Sequence, residues 1–277
     1  MISGNARLAG VLGWPVSHSR SPALHNFWLA RYRIDGAYLP LPVTPADFVT
    51  AVHGIRAAGF RGANVTIPHK EAALAICTHL HETAHRAGAV NTLTFTQDGI
   101  HGTNTDGTGF LANLRANGIN PAAGPALLLG AGGAARAIAA ALLHQGVRVT
   151  VANRTQERLA TLATSLPEIG PLAWNQRHAA LADHALLVNT TSAGMKGAPA
   201  LDLDLTHAPP ELVVADIVYV PLATPLLTAA AARGLRTVGG LGMLLHQAVP
   251  GFSAWFGVTP QIDQEVFDLI AADIPAT

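Results

Sequence analysis

The stretch Leu127-Leu128-Leu129-Gly130-Ala131-Gly132-Gly133-Ala134-Ala135-Arg136 decides the fold. Its leucines form a short apolar run with the character of a buried parallel strand. Gly-x-Gly-x-x-Ala follows at once, as Gly130, Gly132 and Ala135. An alanine-rich segment, 134–145, comes next and reads as a helix closed by Gly146. Strand, glycine turn and helix are the opening units of a dinucleotide-binding βαβ fold. There the first glycine permits a tight turn, the second lets backbone N–H groups approach a pyrophosphate, and a small third residue packs helix on strand. The helix N-terminus then offers unpaired N–H groups and its positive dipole end to the phosphates. With 27 glycines in the chain the spacing alone is weak, and its place between strand and helix gives it weight.

The next strand bears on which nucleotide is held. Residues 147–152 alternate and are rich in β-branched side chains. A unit that binds NAD places Asp or Glu at the end of this strand, about 20 residues past the glycines, against the ribose 2′-hydroxyl. Here Asn153-Arg154-Thr155 stands in that place, with Arg158 one turn further on. Two guanidiniums grip a 2′-phosphate by paired, charge-assisted hydrogen bonds. Thr155 as a helix cap, with the arginines on a solvated face, is compatible with that use. NADP is expected rather than NAD.

The 277 residues suffice for one large domain or two modest ones. Hydrophobic residues make up 49% and charged ones 12%, which excludes a disordered chain. Lys+Arg and Asp+Glu number 17 each, so no net field attracts nucleic acid or an anionic membrane. The single cysteine, Cys77, excludes an internal disulfide and fits a reducing compartment; its apolar setting reads as an inert, buried thiol. No basic segment with an apolar core opens the chain, and no uncharged run reaches spanning length. A soluble, cytoplasmic protein is expected.

Strand and helix signals alternate from the start. Strands are expected over 7–12, 37–41, 62–68 and 89–95, with helices over 22–33, 45–59 and 71–80, and a hairpin turn at Asp98-Gly99. A helix over 106–117 and a boundary loop over 121–125 lead into the glycine motif. Beyond it come a helix over 156–165, strands over 185–189 and 212–218, a helix over 225–233, and two last helices over 243–255 and 261–272. Two α/β units in series are the simplest reading. Polar residues gather at strand ends of the first half, where open α/β sheets bind ligands: Thr66, Lys70, Asn91-Thr92 and Asn104-Thr105-Asp106-Gly107.

At this point the chain resembles a known family, the shikimate dehydrogenases. The matching pieces are Ser19-Arg20-Ser21-Pro22, Gly62-Ala63-Asn64-Val65-Thr66-Ile67-Pro68-His69-Lys70, Gly88-Ala89-Val90-Asn91-Thr92 and Asn104-Thr105-Asp106-Gly107. Gly130-Ala131-Gly132-Gly133-Ala134, Asn153-Arg154-Thr155 and Gly240-Leu241-Gly242-Met243-Leu244-Leu245-His246-Gln247-Ala248 complete the series, in family order. The resemblance implies reversible reduction of 3-dehydroshikimate to shikimate with NADPH, in chorismate and aromatic amino acid biosynthesis. It implies two α/β domains with a deep cleft. One is an N-terminal substrate-binding catalytic domain, 1–106, completed by C-terminal helices within 240–277; the other is a Rossmann-type NADP-binding domain, 107–239.

The resemblance also distributes roles. Ser19 and Ser21 match the pair that holds the substrate carboxylate, and Pro22 makes them a helix entrance, a favourable place for an anion. Capping that helix is the plainer use of one serine. Thr66, Asn91 and Gln247 match ligands of the ring hydroxyls, and Tyr219 is a further family-like candidate. Lys70 and Asp106 match the catalytic pair: hydride arriving at a carbonyl carbon builds negative charge on oxygen, which an ammonium stabilises. Gly130 to Ala134, Asn153, Arg154, Thr155 and Gly240 match the cofactor side, Gly240 where backbone approaches the nicotinamide, and Arg158 joins them as the second guanidinium near the 2′-phosphate. Gly239 replaces a residue commonly acidic or amide-bearing, and His69 one that is often Phe.

His81-Glu82-Thr83-Ala84-His85 fits the His-Glu-x-x-His zinc pattern, which would set both histidines on one helix face. No third ligand presents itself, so no metal is expected there. Two other readings stand beside the main one. A quinate/shikimate paralogue using NAD is opposed by Asn153 and Arg154, and a non-catalytic nucleotide-sensing module by Lys70 and Asp106. No heptad seam marks an interface, so monomer and homodimer stay open.

Overall fold

The computed structural model describes residues 2–277, which divide into two compact α/β units. The first comprises residues up to 105 together with 247–270; the second comprises 106–246 with 271–277.

The first unit contains β1 (Arg7–Gly13), α1 (Ser21–Arg31), β2 (Gly36–Pro42), α2 (Phe48–Ala57), β3 (Gly62–Val65), α3 (Ala72–Ile76), β4 (His79–Leu80), α4 (Glu82–Ala87), β5 (Thr92–Phe95) and β6 (Ile100–Thr103). Its sheet has the order β2-β1-β3-β5-β6-β4. The central strand β1 pairs parallel with β2 and β3, while β5 runs antiparallel to β3 and β6 across the Asp98-Gly99 turn. On α1 the buried residues Leu24, His25, Trp28 and Leu29 follow the helical repeat and face the core.

The second unit contains α5 (Asp106–Ala116), β7 (Ala126–Leu129), α6 (Gly133–His144), β8 (Val149–Asn153), α7 (Gln156–Ser165), β9 (Gly170–Ala173), β10 (Leu186–Asn189), β11 (Val213–Asp216), α8 (Pro225–Ala232) and β12 (Arg236–Val238). The helices α9 (Leu241–Phe256) and α10 (Gln264–Ala271) follow. All six strands are parallel, in the order β12-β11-β10-β7-β8-β9. Counted from β7 this is 3-2-1-4-5-6, the doubly wound dinucleotide-binding order, with its switch point between β7 and β10. Every residue of β7 is buried, because apolar cores cover both faces of the sheet: Leu128 belongs to one, Leu127 and Leu129 to the other.

Three expectations change. The helix expected over 71–80 stops at Ile76; Cys77 is extended, Thr78 N–H donates to the Ile100 carbonyl at 2.8 Å, and His79–Leu80 pair with β6. Strand pairing overrides local helix propensity there. The short strands β9 and β12 were unmarked in sequence: both are sheet edges, and β9 carries Pro171, which an edge tolerates. The C-terminal segment is shared rather than whole: the first unit takes 247–270, and the last residues join the second through Leu222 N–H to Pro275 O at 3.0 Å and Ala223 N–H to Ala276 O at 2.8 Å. No helix among the described residues is long and apolar enough to cross a membrane.

Candidate active site

In the first unit Ser21, Asn91 and Gln247 are joined through intervening residues in one hydrogen-bonded chain. Ser21, 9% exposed, is the first residue of α1, and its hydroxyl bonds the phenol of Tyr38. Tyr38 Oη donates to Asn64 Oδ1 at 2.6 Å. The other end of that amide, Asn64 Nδ2, donates to Thr92 Oγ1 at 3.1 Å and to the Asn91 carbonyl at 3.2 Å. Thr92 Oγ1 donates to Asn91 Oδ1 at 2.9 Å, an oxygen that also accepts from Thr105 N–H at 2.9 Å. Thr105 Oγ1 accepts from Asn91 Nδ2 at 3.0 Å and donates to the Gln247 carbonyl at 2.8 Å. Burial pushes the Tyr38 phenol well above its usual range, opposed by the Ser21 bond, so it stands as a neutral donor.

Thr66 and Lys70 flank the turn after β3, where His69 N–H donates to Thr66 O at 2.9 Å. The same turn is tied to Asn91: Val65 N–H donates to its carbonyl and Val90 N–H to that of Lys70, both at 2.8 Å. Lys70, Thr66 and Asn91 thus share one end of the sheet. His69, in the place of a frequent Phe, keeps an aromatic's work by stacking on Phe48 at 4.6 Å, and its Nε2–H donates to Val43 O at 2.7 Å. Neither serine caps α1 by side chain; the cap position is Arg20, and Ser19 Oγ makes a long contact of 3.4 Å with Ser21 N–H.

In the second unit the cofactor candidates lie beyond the carboxyl ends of parallel strands. Gly130 has φ +114°, and a Cβ there would sit 2.6 Å from Thr190 Oγ1, across the switch point. Only glycine satisfies both demands. Gly132 and Gly133 differ: a Cβ would meet nothing within 4 Å, and Gly132 has an ordinary φ of −93°. The chain itself places no demand for glycine at these positions; what they leave is open space at the N-terminus of α6, flanked by Ala131 and Ala134. One strand over, Gly130 N–H donates to Ala152 O at 2.9 Å, which sets Asn153, Arg154 and Thr155 beside the turn. Arg154 and Arg158 are exposed, and Asn153 Nδ2 donates to Thr155 O at 2.8 Å. Thr155 holds the cap position of α7 but makes no side-chain cap bond.

Asp106 opens α5, half-buried. Tyr219 lies just past β11 in a loop pinned by Asp216, whose carboxylate accepts from Asn189 Nδ2, Val218 N–H and Thr224 Oγ1 at 2.7–3.0 Å. Burial raises the Asp216 pKa against those three bonds. At Gly240 a Cβ would collide with the Ile217 carbonyl, so the chain's own packing already requires glycine there.

Sequence marks Thr92 and Thr105 only as polar residues at strand ends, and Tyr38 and Asn64 not as site residues. Asn64 carried a signal, a buried amide inside the apolar strand Ala63-Asn64-Val65; Tyr38, a strand aromatic, carried none. The zinc pattern dissolves: His81 is extended and precedes the short α4, its Nδ1 accepting from Thr83 N–H at 3.2 Å, so the pair shares no helix face. Cys77 is half-buried, donates to Ala73 O at 3.0 Å and is pushed up to about 11 by burial, as an inert thiol should be.

A parallel 3-2-1-4-5-6 sheet with an open glycine turn at its switch point, in a chain whose other α/β unit carries a buried polar hydrogen-bonded chain, marks the class of dinucleotide-dependent oxidoreductases. Residues 11–93 match the shikimate dehydrogenase substrate binding domain, and residues 115–221 match the shikimate/quinate 5-dehydrogenase model. The chain belongs to the shikimate dehydrogenase family. A shikimate dehydrogenase (NADP(+)) of Acidiphilium cryptum is 64% identical over 274 residues, 99% of either chain. The Thermus thermophilus shikimate 5-dehydrogenase, solved with NADP(H) and shikimate, is 39% identical with a TM-score of 0.86, covering 96% of this chain and 98% of that one. Quinate dehydrogenase from Corynebacterium glutamicum, solved with NAD, is 29% identical with a TM-score of 0.87, covering 96% and 97%.

Proposed function

We propose that this protein catalyses the reversible, NADP-dependent reduction of 3-dehydroshikimate to shikimate. The observation that carries the reading is the hydrogen-bonded chain from Ser21 to Gln247. A small cyclic acid with several hydroxyls needs fixed donors and acceptors, since a buried polar group left unpaired costs about 1–3 kcal/mol. That chain supplies them pre-oriented. Ser19 and Ser21 receive the carboxylate at the entrance of α1, and Thr66, Asn91, Gln247 and Tyr219 receive the hydroxyls. Bound NADPH supplies the hydride. As the carbonyl carbon is reduced its oxygen gains negative charge, which the Lys70 ammonium stabilises, and one proton from that ammonium or from solvent completes the hydroxyl. Asp106, its catalytic partner, accepts from a ring hydroxyl. The open turn at Gly130, Ala131, Gly132, Gly133 and Ala134 holds the pyrophosphate, while Asn153, Arg154, Thr155 and Arg158 take the adenosine 2′-phosphate. Gly240 closes the nicotinamide end. The single cysteine and balanced charge support a cytoplasmic location.

The test follows absorbance of the reduced nicotinamide with purified protein, pairing shikimate or quinate with NADP or NAD. Fast turnover with shikimate and NADP alone is expected. Comparable turnover with quinate or NAD would move the protein to the paralogue reading, and NADP binding without turnover to the sensor reading.

A further inference from the structure

At the far edge of the first sheet, His79 on β4 stands opposite His101 on β6, in register across a parallel pair. Their ring centroids are 4.5 Å apart. Asp98, in the turn that leads into β6, reaches both: His79 Nε2 lies 3.4 Å from its Oδ2 and His101 Nε2 lies 3.2 Å from its Oδ1. All three ligand atoms fall within 4.8 Å of one another. Around a tetrahedral zinc with bonds of about 2.0–2.1 Å, neighbouring ligand atoms stand about 3.3 Å apart. Each imidazole nitrogen stands about that far from one of the two Asp98 oxygens, so small side-chain rotations bring the three ligand atoms to that geometry. Thr96 Oγ1 donates to Asp98 Oδ1 at 2.6 Å, an outer bond that fixes the carboxylate as second-layer partners do in metal sites.

We propose that His79, Asp98 and His101 form a binding site for a divalent d-block cation of the zinc class. Imidazole nitrogens favour such ions over magnesium and calcium, which prefer all-oxygen sets. The site is exposed, so water completes the coordination. It also has a structural consequence. β4 is a two-residue edge strand, and a cation held by one residue of β4, one of β6 and the turn beside them clips that edge shut. Because the ligands converge only in the folded chain, a free cation concentration a hundred times Kd shifts the folding equilibrium about 100-fold toward the native state.

Equilibrium dialysis of the full chain against Zn²⁺, with thermal unfolding measured beside it, tests this. Wild type should retain one equivalent more than His79→Ala/His101→Ala, and only wild type should gain Tm as zinc is added. The single variants His101→Gln and Asp98→Asn, which leave the backbone pairing intact, should each weaken binding by at least about 10-fold. His85→Ala, which alters the other histidine pair of this unit, should behave as wild type. Equal zinc retention by wild type and the double variant, or a loss carried by His85→Ala instead, would overturn the proposal.

Discussion

His25 lies at the centre of the first unit's aromatic core, 0% exposed, and neither ring nitrogen has a hydrogen-bond partner. It stacks on Tyr38 at 4.0 Å with planes 5° apart, and Trp28, Phe252 and Trp255 surround it at 5.6–5.8 Å. Burial lowers its pKa from 6.5 to about 3. The unfolded chain therefore takes up a proton near pH 6.5 that the folded chain refuses until about pH 3. This histidine's contribution is intact above pH 6.5 and is lost progressively as pH falls through that window. At 1.36 kcal/mol per pH unit, the loss at pH 4.5 is about 2.7 kcal/mol. His25→Phe keeps the aromatic stack and removes the titration. Urea unfolding of both proteins at pH 7.5 and 4.5 isolates the difference: the wild type should lose about 2.7 kcal/mol more than the variant. Parallel pH profiles for the two would refute the reasoning, since a buried ring that titrates normally cannot be as sequestered as this one.

Four other outcomes bear on the site. Lys70→Ala should lower kcat by at least about 100-fold with the Tm unchanged, the usual scale for losing a charge-stabilising or proton-donating group; a kcat within a few-fold of wild type would remove Lys70 from the chemistry. Gly132→Ala, with open space for its methyl, should leave the Tm alone and raise KM for NADP, whereas a fall in Tm with normal KM would show that the chain needs this glycine for itself. Arg154→Ala should raise KM for NADP while leaving that for NAD nearly unchanged, and equal effects would count against 2′-phosphate recognition. Tyr38→Phe keeps the stack on His25 but deprives Asn64 Oδ1 of its donor; KM for shikimate should rise several-fold with KM for NADP constant, and a stability loss without that KM change would make the phenol purely structural.

What could be read from sequence was local. The turn from Gly130 to Ala135 announces itself because strand, glycines and helix are contiguous, and α7 fell where its proline and polar start placed it. What could not be read depends on partners distant in the chain. Nothing near Thr78 says that its amide will meet Ile100, so the helix begun at Ala72 looked longer than it is. Tyr38 reads as an ordinary strand aromatic until the fold brings Ser21 and Asn64 to its hydroxyl. Gly132 and Gly240 look alike as letters, yet one faces open space and the other a backbone carbonyl.

The helix α9 begins among residues of the second unit and ends among those of the first. Its last turns carry Phe252, Trp255 and Phe256, all at most 2% exposed, and Trp255 Nε1 donates to Leu93 O at 2.9 Å. During synthesis the chain up to Thr105 leaves the ribosome without these rings, so the pocket around His25, Trp28 and Tyr38 stays unfilled. All of 106–246 emerges before them, while the tail 271–277, which bonds Leu222 and Ala223, emerges after. The unit encoded first therefore waits for its core until the chain of the second has been synthesised through His246, a departure from the usual N-terminal-first order of domain folding on the ribosome.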